Sequence, residues 1–287
     1  MAQAITSPGD IILSPNPSYP IHPYGFIIAG ASLRHLPAMD DGIFNPDLYL
    51  ERLERSIIES VPAPVAVIVS FPSNPTAQVV SLEFYEEVVT IALKHNVYIL
   101  SDLAYAEIYY DNSPPPSILQ IPKAKEVAVE FTSMSKTYAM AGWRIGFAVG
   151  NIRLINALTR IKSYLDYGAF TPVQVAAATA LNGPQDCVQE IRNTYQKRRD
   201  VLINSMARAG WNIPSPKASM FAWAPIPDKY KDKGSLEFAK ELMLKADVAV
   251  SPGVAFGEFG EGFVRVGLVE NEQRIKQAAK NIKKLLQ

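Results

Sequence analysis

The sequence predicts an α/β protein, with a mostly parallel central sheet sandwiched by helices and a small α+β subdomain at the carboxy end. Two observations predict the sheet. Runs such as Val65-Ala66-Val67-Ile68-Val69-Ser70 and Val97-Tyr98-Ile99-Leu100 are apolar almost throughout instead of alternating, the pattern of strands buried on both faces. Between such runs lie segments with apolar residues at helical spacing, so strand and helix alternate as crossovers between parallel strands require. A third observation sets the subdomain apart: after Gly150 the pattern changes to long helices and then short strands. The expected division is a large domain over 1–182, then a bridging helix and small subdomain over 183–287.

The elements follow in order. Residues 1–6 read as the tail of a helix stopped by Pro8-Gly9, as in a chain that starts in mid-domain. A strand is expected over 10–14, a proline-rich turn over 15–20, a helix over 24–31 and a strand over 32–36. Leu48, Leu53 and Ile57 give 47–60 an amphipathic helical spacing. The strand 65–70 closes on Phe71-Pro72-Ser73-Asn74-Pro75-Thr76. Ser81 caps a helix reaching His95, with Glu83 in its first turn. The strand 97–100 ends at Ser101-Asp102. Strands over 126–131 and 145–150 then flank a loop that carries Lys136. Helices follow over 151–165, over 172–181 with proline in the first turn, and over 185–209 after the Asn182-Gly183-Pro184 break. Strands over 219–224, 248–251 and 263–268 and helices over 235–245 and 270–286 complete the chain.

Composition narrows the function. A 48% hydrophobic and 20% charged chain of 287 residues has an ample core and a solvated surface. With a formal net charge of zero it offers no field for nucleic acid or an anionic membrane surface, so neither is an expected partner. The one cysteine, Cys187, excludes an internal disulfide. His22, His35 and His95 lie too far apart in sequence for a metal site, and none is expected. The chain shows no basic n-region before Arg34 and no apolar run near the ~20 residues of a membrane span. A cytoplasmic setting is the expectation.

Asn74, Asp102 and Lys136 each follow the carboxyl end of an expected strand, where open α/β sheets bind ligands. Lys136 has Ser133, Ser135 and Thr137 beside it and Arg144 close behind, so a cation and hydroxyl donors surround an amine able to form a Schiff base. The alternative for each is structural. Lys136 could be a solvated loop lysine, Asp102 a cap for 103–108, and Asn74 a stabiliser of its Asn-Pro turn.

Asn74-Pro75-Thr76, Asp102-Leu103-Ala104-Tyr105, Ser133-Met134-Ser135-Lys136 with Arg144, and Phe263-Val264-Arg265-Val266, in this order and spacing, resemble the class I/II aminotransferases, fold-type I pyridoxal-phosphate enzymes. The runs 15–22, 71–78 and 216–220 are most similar to the bacterial glutamate–pyruvate (alanine) branch. The resemblance implies that Lys136 carries the cofactor and moves the substrate α-proton. It implies that Asp102 holds the pyridine nitrogen protonated, Asn74 and Tyr105 donate to the phenolic oxygen, and Ser133 and Arg144 bind the phosphate. Tyr19 would stack on the ring, and Arg265, with Asn74, would bind the substrate carboxylate. Tyr19 could instead be core filler, Arg265 a strand-edge surface residue and Arg144 an ion-pair partner. The implied substrates are amino acids and 2-oxo acids, alanine with pyruvate and glutamate with 2-oxoglutarate, in a homodimer. Diaminopimelate or aspartate specificity is the rival, and an inactive fragment acting as a structural or interaction module is another. Two departures stand out. Ala77 follows Asn-Pro-Thr where many members have glycine, and the family's amino-terminal arm, its glycine-rich phosphate-binding helix start and a tyrosine offered to the neighbouring subunit would lie upstream of Met1. A chain starting here is therefore expected to bind pyridoxal phosphate weakly, to associate through apolar surface and to transaminate little.

Overall fold

The computed structural model describes residues 1–40 and 42–286. Strands β1 (Ile11–Asn16) and β2 (Ser32–Pro37) are followed by a short hairpin, β3 (Met39–Asp40) with β4 (Ile43–Phe44), and then by β5 (Ala66–Ser70), β6 (Tyr98–Asp102), β7 (Ala128–Ser133) and β8 (Gly146–Gly150). The large sheet has six strands in the order β2-β1-β5-β6-β7-β8. All neighbours are parallel except β7 and β8, which run antiparallel. The exception has a local cause: parallel neighbours need a crossover element, whereas the Lys136-bearing connection returns the chain directly.

The all-apolar strands are buried on both sides because successive side chains point to opposite faces. Leu13, Val67, Val69 and Ile99 pack against Tyr49, Leu53 and Ile57 of helix Pro46–Glu59 and against Phe84, Val88 and Val89 of helix Leu82–His95. Ile12, Ile68, Leu100 and Val129 pack on the other face with Phe26 of helix Ile21–Ile28 and Leu154 of helix Ile152–Leu165. Each such side chain contributes about 1.5–3 kcal/mol by leaving water. The helix starts are encoded locally: Asn45 Oδ1 accepts from the Leu48 N–H at 3.1 Å ahead of Pro46, and Ser81 Oγ accepts from the Phe84 N–H at 3.3 Å.

The carboxy-terminal part has a three-stranded antiparallel sheet in the order β10-β11-β9, made by β9 (Phe221–Pro225), β10 (Ser251–Pro252) and β11 (Phe263–Gly267). Helices Asp186–Ala209, Gly234–Ala246 and Glu272–Leu286 close its core around Leu202, Phe238 and Ile282. Ile108 and Tyr110, which follow β6, belong to the same core, and the buried Arg199 guanidinium ties helix Asp186–Ala209 to Asp111 through bonds of 2.7 and 3.0 Å.

Several elements differ from their sequence assignment. Residues 15–16, expected in a turn, extend β1 to Asn16, and residues 126–127, expected in a strand, belong to the helical turn Ala124–Val127 ahead of β7. The helix expected over 24–31 is Ile21–Ile28, because Pro20 supplies a helix-compatible start and Gly30, at φ +88°, turns the chain. The strand expected over 248–251 shrinks to Ser251–Pro252, since β11 pairs only with that end.

Candidate active site

A cavity of about 380 Å³ opens beyond the carboxyl ends of β5, β6 and β7, and Tyr19, Asn74, Asp102, Tyr105, Ser133, Lys136, Arg144 and Arg265 all line it. Every residue singled out from the sequence therefore meets at one place. Lys136 is not in a loop, as the sequence reading had it, but in a single helical turn, Met134–Thr137, directly after β7. Ser133 Oγ caps that turn by accepting from the Ser135 N–H at 3.2 Å, and Met134 and Thr137 are buried beneath it. One turn leaves Lys136 half-buried at the cavity wall. Arg144 reaches the same wall from a left-handed backbone, φ 52°, and its Nη1 donates to the Ala141 carbonyl at 3.1 Å.

Asp102 ends β6 and has two partners. Its Oδ1 accepts from the Ala104 N–H at 3.1 Å, the capping role open to it from the sequence, and its Oδ2 accepts from His22 Nε2 at 2.8 Å. The cap and the cavity-facing carboxylate are thus the same group. His22 is buried in the first turn of helix Ile21–Ile28, and its Nδ1 has no hydrogen-bond partner among the described residues. The sequence reading weighed His22 only as a metal ligand and missed this contact. The available signal was its place three residues after Tyr19, one helical turn on, where the ring meets Tyr19 edge-on at 6.0 Å. Tyr19 is 44% exposed, so it is cavity wall and not core filler.

Asn74 is buried, and its Oδ1 accepts from Arg265 Nη1 at 2.6 Å. Arg265 lies on β11 between the rings of Phe221 and Phe256, 4.1 and 4.5 Å from their centroids, and its Nη2 donates to Ser251 Oγ at 3.3 Å. It is a half-buried arginine on the central strand of its sheet, not a strand-edge surface one, and burial draws its pKa below the usual guanidinium value. A guanidinium stays charged even so. Tyr105 is buried against Phe221, with ring centroids 6.0 Å apart. Burial, and then the Asp102 charge, raise its phenol pKa, while Arg265 and a hydrogen bond with Asn74 act the other way. Phe221 and Phe256 had no sequence signal as site residues.

The family model for aminotransferase class I and II matches residues 1–282. The chain is 58% identical over 286 residues to the putative aminotransferase AatC of Rhizobium meliloti, covering 100% of this chain and 69% of that protein. It is 55% identical over 275 residues to the glutamate-pyruvate aminotransferase AlaC of Escherichia coli, covering 96% and 66%. The chain thus spans about two thirds of the length of these curated relatives. Among solved structures it superposes on apo-BacF from Bacillus subtilis with a TM-score of 0.91 at 32% identity, covering 99% of this chain and 74% of that one. A family match along nearly the whole chain, joined to relatives this similar, makes the chain a member of the class I and II aminotransferases, which are pyridoxal-phosphate-dependent transaminases.

Proposed function

We propose that this chain transfers an amino group between alanine and 2-oxoglutarate, giving pyruvate and glutamate and the reverse, with pyridoxal phosphate held in the cavity of about 380 Å³. The observation that carries the reading is that an amine (Lys136), a hydrogen-bonded carboxylate (Asp102) and a flat arginine (Arg265) line that one cavity. The cavity fits the cofactor in size and donor set. Its volume is in the range of small-molecule sites, Ser133, Ser135 and Arg144 can receive a phosphate, and Tyr19 offers a ring face.

When bound, the cofactor supplies an aldehyde that condenses with amines and a protonated pyridine ring that draws electrons from the bonds at the substrate α-carbon. The chain's own residues do the rest. Lys136 Nζ would hold the cofactor through its aldehyde, with loss of water, and as a free amine would carry the proton to and from the substrate α-carbon. Asp102 would hold the ring nitrogen and its proton with a carboxylate that already lines the cavity. His22 and the Ala104 N–H fix the carboxylate's orientation, so no reorganisation is needed as charge develops. Asn74 and Tyr105, which line the same cavity, would hold the phenolic oxygen. The two N–H groups of Arg265 align the substrate carboxylate, with Asn74 beside it.

The choice of alanine rests on likeness: a relative 55% identical to this chain, AlaC, is named a glutamate-pyruvate aminotransferase. We place the protein in the cytoplasm as a homodimer; no described helix is long and apolar enough to cross a membrane. The test is to load the protein with pyridoxal phosphate, follow its absorbance on adding alanine, aspartate or diaminopimelate, and map the peptide labelled by borohydride. An alanine-dependent change with the label on Lys136 is expected. No change with any amino acid, or a label elsewhere, refutes the reading.

A further inference from the structure

Asn16 sits at the carboxyl end of β1, in the large sheet, yet its side chain serves the other part of the molecule. It is 4% exposed, and its Oδ1 accepts from the Phe259 N–H at 3.3 Å. The same oxygen lies 2.2 Å from where a Cβ on Gly257 would stand, and Gly257 has φ +124°. Space and backbone conformation therefore both require glycine opposite Asn16. Two residues on, the Ser18 N–H donates to the Phe256 carbonyl at 2.9 Å. The turn Gly253–Gly260 is itself compact: a Cβ on Gly253 would stand 1.9 Å from the Gly260 carbonyl oxygen. A compact turn is thus tied to Asn16 and Ser18, at and just past the end of β1, through the Phe259 N–H and the carbonyl of Phe256, whose ring lies 4.5 Å from the Arg265 guanidinium.

We propose that Asn16 is a positioning residue for Arg265. By docking the turn Gly253–Gly260 it seats the Phe256 ring against the guanidinium, so that the arginine that lines the cavity is held by two rings as well as by Asn74 and Ser251. The inference rests on the reading of Arg265 as the carboxylate-binding residue and deepens it. Arg265 is bonded on one edge to Asn74 and Ser251 and is flanked on the other ring face by Phe221. Without Phe256 one face would open to water, which competes for the charge, and the side chain would regain rotamers. The loss of one desolvated cation–π contact corresponds to a roughly ten-fold weaker carboxylate affinity. The Asn16 side chain acts by accepting a hydrogen bond, so an isosteric acceptor should replace it.

The experiment compares wild type with Asn16→Ala, Asn16→Asp and Arg265→Lys. It measures the calorimetric Kd for propionate, which offers a carboxylate without an amine or keto group, together with KM and kcat of the pyridoxal-phosphate-loaded protein and its thermal midpoint. The expected result is that Asn16→Ala weakens propionate and raises the alanine KM about ten-fold with kcat within about two-fold. Asn16→Asp should restore near-wild-type values, and Arg265→Lys should weaken propionate at least as much as Asn16→Ala. Wild-type propionate affinity in Asn16→Ala beside a weakened Arg265→Lys overturns the positioning role and leaves the carboxylate site standing. Wild-type affinity in Arg265→Lys overturns the reading of Arg265 and the inference with it. Equal losses in Asn16→Ala and Asn16→Asp also overturn it, because the acceptor would then not be what matters. Should Asn16→Ala not fold, Phe256→Leu replaces it, and an unchanged propionate Kd in that variant overturns the proposal.

Discussion

At the scale of single residues, Asp102 and His22 have separable consequences. Asp102 meets the cavity with a carboxylate whose two oxygens are already oriented by the Ala104 N–H and by His22. If it stabilises positive charge on a ring nitrogen, Asp102→Asn removes that charge from the transition state, and kcat should fall about 10²–10³-fold with a smaller change in KM. His22→Phe leaves the carboxylate but removes one charge-assisted hydrogen bond, usually about 1.5–3 kcal/mol, so kcat should fall by roughly 10–100-fold. Steady-state kinetics on both variants checks the ranking. A His22→Phe loss as large as that of Asp102→Asn would mean that the histidine acts directly and not through the carboxylate.

At the scale of elements, β7 carries a buried carboxylate that fastens a neighbouring turn. Glu130 is 4% exposed and accepts from Ser117 Oγ at 2.6 Å, the Ile118 N–H at 3.1 Å and Ser101 Oγ at 3.2 Å. Burial raises its pKa in spite of these donors. A folded pKa above the unfolded one gives stability that is full below the unfolded pKa and is lost as pH rises through the folded pKa. Glutamine keeps an acceptor for the Ile118 N–H and can donate to either hydroxyl, without the charge. Glu130→Gln should therefore gain stability relative to wild type as pH rises from about 4 to 8. Urea unfolding of both proteins across that window is the measurement, and a difference independent of pH would contradict the assignment.

At the scale of the whole molecule, two stretches of the chain gather several exposed apolar side chains. Helix Ile21–Ile28 leaves Ile21, Tyr24, Ile27 and Ile28 between 49% and 77% exposed. Tyr164, Leu165, Tyr167 and Phe170, between helices Ile152–Leu165 and Thr171–Asn182, are exposed by 63–91%. Exposed groupings of this kind mark association surfaces, and they support the proposed homodimer. Ile28→Asp combined with Phe170→Asp should shift sedimentation toward a single chain and leave the fold intact by circular dichroism. Wild-type sedimentation in that double variant would place any interface elsewhere.

Much of the fold and of the site is local information. The apolar runs of β5 and β6, the Ser81 cap of helix Leu82–His95 and the apolar spacing of helix Pro46–Glu59 depend on residues close in sequence, and they form within a residue or two of where the sequence puts them. Asn74, Asp102 and Lys136 could be named because strand ends in parallel sheets collect on one side, whereas Tyr19, Tyr105, Ser133, Arg144 and Arg265 were named through the family resemblance, and the tertiary structure lines one cavity with all eight. It also decided what depends on distant partners. The helical turn around Lys136 is set by its cap and by the packing of Met134, the reach of β10 by its pairing with β11, and the Asp102 partner by a histidine 80 residues upstream. The ring sandwich around Arg265 and its fastening to Asn16 join side chains 191 and 243 residues from their hydrogen-bond partners. Periodicity reports which face of an element is buried. It carries no information on which side chain of another element will fill the space opposite, and packing across the completed fold alone determines that.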